Sequence, residues 1–218
     1  MTELSNVFLE YCNKDIYPIY KLVQQKIIEL EESNPDHKSY IGPLVELRNA
    51  LDHIISASVE TSISGMREQL DDAKRHIIRA GQDCYEIFIA ENLLRIHEIM
   101  KQYSAPVVAA AFSSYSLQIR PKLIEIQNLM VQIRSSKGSD NSFDPKRFEL
   151  YEENKKHLIN IYIQVNGHLN ELEKEKRRIE DSDKKLRRQR WKDRFITALI
   201  LLIIGILGKI IYSWIVSV

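Results

Sequence analysis

The sequence predicts an all-α chain made of a cytosolic helical bundle, a long coiled-coil-like stalk helix and a single C-terminal transmembrane helix. Three observations carry that expectation. Only 7 Gly and 6 Pro punctuate 218 residues, whereas Leu, Ile, Glu, Lys, Gln and Arg, side chains that lose little freedom in a helix or pack along its apolar face, dominate. Apolar residues recur at steps of three and four. Residues 195–218 hold one charge, Lys209. The expected division is a bundle over 1–134, a linker over 135–145, a stalk with a basic end over 146–194 and a membrane helix over 195–218.

A first helix is expected from Leu4 to Glu32, with Phe8, Cys12, Ile16, Ile19, Val23, Ile27 and Leu30 on its apolar side and a kink at Pro18. Ser33-Asn34-Pro35-Asp36 closes it, and Gly42-Pro43 opens a second helix reaching Ser64. Gly65 breaks or bends the chain before a third helix, Met66 to Tyr103. Pro106 marks the next boundary, and a fourth helix runs from Val107 to Ile133 with a second kink at Pro121. The small, polar run Ser135 to Ser142 ends the bundle. After Asp144-Pro145, residues Leu158, Tyr162, Val165, Leu169 and Leu172 follow a heptad seam, which weakens where Lys176 and Asp183 take seam positions. Such a seam packs against its own bundle or against further copies of the chain.

Charge is unevenly placed. Residues 176–194 hold ten Lys or Arg against four Asp or Glu; with Lys209 added, the overall net charge of +1 leaves residues 1–175 at −6. An acidic bundle excludes general nucleic-acid binding, which draws on basic surface, so any such contact must be local. As a helix, 195–218 spans roughly 36 Å, enough for a hydrocarbon core of about 30 Å. The basic cluster Lys184 to Arg194 places the preceding domain in the cytoplasm, and the expected location is the bacterial inner membrane. Gly205, Lys209, Ser213 and Ser217 form a small, polar strip, either a snorkelling anchor face or the packing face of a pore built by several copies. Met1 to Glu10 lacks a basic start followed by an apolar run, so no cleavable signal peptide is expected. Cys12 and Cys84 have no metal-ligand spacing; buried reduced thiols, no metal and no cofactor are expected.

The most suggestive local motif is Leu47-Arg48-Asn49-Ala50-Leu51-Asp52-His53. Arg48, four intervening residues and His53 resemble the Arg-x4-6-His signature of the HEPN superfamily, with Asn49 directly after the Arg. The resemblance implies a helical bundle over residues 4–133 and one of two activities. Active members are metal-independent endoribonucleases in which paired protomers use the Arg to hold phosphate and the His as acid or base; others keep the fold to bind nucleotides or partners. Arg offers a fork matched to phosphate oxygens and His exchanges protons near neutral pH. Asp52 lies four residues from Arg48, so an ordinary surface ion pair is the competing reading. A second basic group, Arg75, His76 and Arg79, joins Arg48, Asn49 and His53 as candidate ligand contacts, against the alternative of a solvated helix face.

The layout resembles membrane effectors of bacterial anti-phage defence. It implies an oligomer whose helical domain senses a nucleotide or short nucleic acid and controls a pore formed by the C-terminal helices, with the lipid bilayer and further copies of the chain as partners. The alternatives are a membrane-tethered HEPN endoribonuclease, with Arg48 and His53 catalytic, and a tail-anchored scaffold without activity.

Overall fold

The computed structural model describes residues 3–34, 39–136 and 145–216, with side chains described except at Ser136, Pro145 and from 207 onward. Every regular element among them is helical. Helix α1 (Glu3–Tyr11) runs through a π-helical turn at Cys12–Ile16 into α2 (Tyr17–Ser33). At the expected kink, Pro18, the helix carries a widened turn. Proline cannot donate to the carbonyl four residues back and its ring presses on that carbonyl. Here the Tyr17 N–H reaches back five residues to the Cys12 carbonyl, and the chain continues. Pro121 repeats the device: a π-turn at Tyr115–Ile119, closed by the Arg120 N–H on the Tyr115 carbonyl, leads into α6 (Arg120–Ser136).

Helix α3 (Ile41–Val59) ends earlier than expected, and α4 (Ile63–Met100) begins earlier. The break falls at 60–62 instead of Gly65. Ser62 caps α4, its hydroxyl oxygen accepting the Gly65 N–H at 3.1 Å, which satisfies one of the donors left open in a first turn. The expected fourth helix is divided: α5 (Ala105–Ala111) stops at Phe112, where the backbone leaves the helical region. The long helix after the linker is also two, α7 (Pro145–Gly167) and α8 (Leu169–Val216). Most of the expected Ser135–Ser142 linker, from residue 137 on, lies outside the described residues.

The described chain forms two compact units. The first comprises residues 1–102 and 114–167, and α4 is its axis. Along the middle of α4, Ala80, Gly81, Gln82, Cys84, Tyr85, Glu86, Phe88 and Ile89 are all buried, more than one face of a helix can hold. Gly81 allows the closest approach: a Cβ there would stand 3.0 Å from the Phe148 ring of α7 and 3.1 Å from Val23 of α2. Tyr85 and Tyr151 stack with centroids 5.3 Å apart. Their hydroxyls donate to Glu152 at 2.6 Å and Glu86 at 2.8 Å, and Arg134 Nε also donates to Glu86 at 3.0 Å. At the end of α2, Asn34 donates to Tyr40 and to Glu91, each at 3.0 Å, tying the start of α3 to α4.

The second unit comprises residues 103–113 and 168–218. In it α5 packs on the start of α8, with Val107, Val108 and Leu172 buried. The Tyr103 hydroxyl donates to Glu173 at 2.9 Å, and Phe112 stacks on His168 at 3.9 Å. Of the heptad seam, Leu158, Val165 and Leu172 are buried within the chain itself; from Glu180 to Ile206 every residue is exposed.

The transmembrane helix is a correction. Among the described residues no helix is long and apolar enough to cross a membrane. The last eighteen residues with described side chains, ending at Ile206, include Arg190, Lys192, Asp193 and Arg194. The fold class becomes all-α without the membrane span, and the single-pass location with its cytoplasmic domain falls with it. Gly205 lies in α8 with open space around it. Ser217 and the side chains of Lys209 and Ser213, and with them the rest of the expected polar strip, lie outside the described residues.

Two predictions follow from this packing. Gly81→Val places three carbons against Phe148 and Val23 and should cost about 1–3 kcal/mol of unfolding free energy, whereas Gly167→Ala, where nothing lies within 4 Å, should stabilise by up to about 1 kcal/mol; urea titration reads both. Burial pushes the Cys84 thiol and the Tyr40 hydroxyl each up to about 12. Tyr85 and Tyr151 are raised as well, by burial first and then by the carboxylates Glu152 and Glu86 they bond. All four hold protons in the folded state that the unfolded chain releases near its ordinary values, about 8.5 for Cys and about 10 for Tyr. Their stabilisation is complete below those values and is lost as pH climbs towards 12. The melting temperature should therefore fall from about pH 9 upward, and less steeply in Tyr40→Phe.

Candidate histidine site between α3 and α4

Helices α3 and α4 run antiparallel across the short break at 60–62, and seven residues make two near-complete turns, so positions seven apart share a face. Glu46 and His53 stand in that relation on α3; Gln69 and His76 do on α4. Packing the two faces together pairs them crosswise. His76 Nδ1 lies 2.6 Å from Glu46 Oε2, and His53 Nδ1 lies 2.7 Å from Gln69 Oε1. The two imidazoles stack between these bonds, with centroids 5.2 Å apart and planes inclined by 19°.

A carboxylate only accepts, so the proton between Glu46 and His76 belongs to His76 Nδ1; with Gln69 Oε1 as acceptor, His53 Nδ1 likewise donates. Both rings are thereby fixed in orientation, and neither Nε2 is bonded to a described protein group. All four side chains are partly exposed. Arg79, one turn beyond His76 and half exposed, stands 3.9 Å from Glu46. Arg75 is paired to Asp72, so the basic face expected on α4 is largely neutralised by its own helix and by Glu46. The chemistry available is that of two oriented imidazoles with a carboxylate behind one of them and a cation beside it: proton exchange at Nε2, and contact with an oxyanion.

The structure brings together His53, His76 and Arg79 of the sequence candidates. It does not bring Arg48 to them. Positions 48 and 53 lie about 140° apart around a helix, and Arg48 lines a different cavity, its Nη2 donating to Asn49 Oδ1 at 3.4 Å. Arg48 makes no ion pair with Asp52, the alternative weighed for the motif. Glu46 and Gln69 carry no motif and are the residues that sequence reasoning missed; their seven-residue spacing from the two histidines was the signal. Among the described residues no cluster of His, Cys, Asp and Glu has the makings of a metal site.

No family model, no curated protein and no solved structure matches this chain.

Glu46→Gln keeps the size of the side chain but removes the charge behind His76. The expected result is retained folding with displaced imidazole NMR signals of His76 at fixed pH, while those of His53 move less.

Proposed function

We propose that the chain is a helical ligand-binding protein that takes the phosphate of a nucleotide or short nucleic acid at the α3–α4 face through His53, His76 and Arg79. The observation that carries this reading is the crosswise pairing. It stacks two imidazoles, each held through Nδ1, with Arg79 3.9 Å from the Glu46 that orients His76, on an otherwise acidic domain. Such a local site suits a compact anion and does not suit a long duplex, which needs extended basic surface. Titrating a fluorescent eight-residue oligouridylate and a labelled mononucleotide against the full chain tests it. His76→Ala and Arg79→Gln should each weaken binding about tenfold, the scale of one charged hydrogen bond. Unchanged affinity in both variants removes the reading.

A second reading is favoured by one contact. The 2.6 Å bond that His76 donates to Glu46 is the orienting arrangement a general base uses, and metal-independent cleavage of RNA by 2′-hydroxyl attack would use His53 and His76 as base and acid. It requires cleavage of the oligouridylate in the presence of EDTA, lost in His53→Ala; binding without cleavage leaves the first reading alone.

A further inference from the structure

A cavity of about 620 Å³ opens between the π-turn at Cys12–Ile16 and the first half of α3. It stands apart from the histidine pair. Its walls are mainly apolar, with Ile16, Leu47, Leu51 and Ile54 contributing aliphatic surface and Tyr17 and Tyr20 two rings. The π-turn shapes it: one extra residue in the turn ahead of Pro18 bulges the helix, and such turns recur where ligands bind. One charged residue lines the cavity, Arg48. Its guanidinium bonds Asn49 and forms no ion pair among the described residues.

An apolar hollow of this size with one uncompensated cation has a definite ligand chemistry. We propose that it binds a small monoanionic amphiphile, an alkyl or aryl carboxylate, whose apolar body fills the space between the π-turn and α3 and whose carboxylate accepts from Arg48. Arg provides a planar fork matched to a carboxylate, and burial of the body supplies the non-directional part of the affinity. This site is independent of the phosphate reading, which uses other residues on another face of α3.

Cys12 lines the cavity and reports its occupancy. The other thiol, Cys84, is fully buried and serves as internal reference. The full chain is treated with iodoacetamide in the presence of decanoate, naphthoate or decanol, and alkylation of each cysteine is followed by mass spectrometry. Decanoate or naphthoate should slow alkylation of Cys12, and decanol should do so only at higher concentration. In Arg48→Gln the carboxylate concentration needed should rise about tenfold, the loss of one charge-assisted bond, with decanol unchanged. Leu51→Trp, at the exposed rim, should block protection by all three. Carboxylate taken up by the exposed apolar end of α8 would leave Cys12 alkylation unaltered. No protection of Cys12 by either acid, or equal protection by decanoate in wild type and Arg48→Gln, overturns the proposal; circular dichroism establishes that each variant is folded.

Discussion

Burial of the middle of α4 on every side is the constraint from which the first unit follows. A helix of 38 residues presents a surface that one neighbour covers only along a stripe. Residues 80–89 must therefore be met by α2, α3, α6 and α7 from different directions. At Gly81 the absence of a side chain lets Val23 and the Phe148 ring close over the same point, so α2 and α7 are set by a single contact. The polar atoms inside this packing are matched pairwise. Tyr85 and Tyr151 deliver their hydroxyls to Glu152 and Glu86, and no buried side-chain nitrogen or oxygen among the described residues lacks a partner. An unmatched one would cost about 1–3 kcal/mol, a large share of a domain's net stability of about 5–15 kcal/mol.

The helical class was legible because it depends on composition and on three-to-four periodicity, which every segment carries. Boundaries were less so, for identifiable reasons. Pro18 and Pro121 read as kinks because the local rule concerns the missing N–H; the π-turns that absorb both depend on the chain's freedom to shift hydrogen bonding from four residues back to five. Gly65 read as the break because glycine is the weaker helix former, whereas Ser62 three residues earlier offered the cap. The seam from Leu158 to Leu172 was visible, but whether it faces its own chain is a tertiary fact; its first residues meet the bundle and Leu172 meets α5. In the C-terminal segment the apolar count ran across residues 195–218, whereas among the described residues no helix is long and apolar enough to span.

The candidate site was half legible. Arg48 and His53 stood out as a motif because they are close in sequence, yet helical geometry sends them to different neighbours. His76 stood out as part of a basic run whose charge is then neutralised by Asp72 and Glu46. What joins His53 to His76 is a relation between helices: two seven-residue spacings, read in opposite directions, that match only after α3 and α4 are laid antiparallel. No single-helix pattern contains it.

Packing alone does not account for that arrangement. An interface between two amphipathic helices is held most economically by apolar side chains, each contributing about 1.5–3 kcal/mol when fully buried, whereas a hydrogen bond exchanged against water returns about 0.5–1.5 kcal/mol. The deeper turns of the same α3–α4 contact follow the economical rule, with Ala50, Ala57, Leu70 and Ala73 buried. Beside them the helices place a carboxylate, an amide and two imidazoles at the solvent margin, each ring fixed through Nδ1 and open at Nε2. The stability gained there is small. What the four residues add to a contact already closed by apolar neighbours is orientation, two imidazoles fixed through Nδ1 at the edge of solvent.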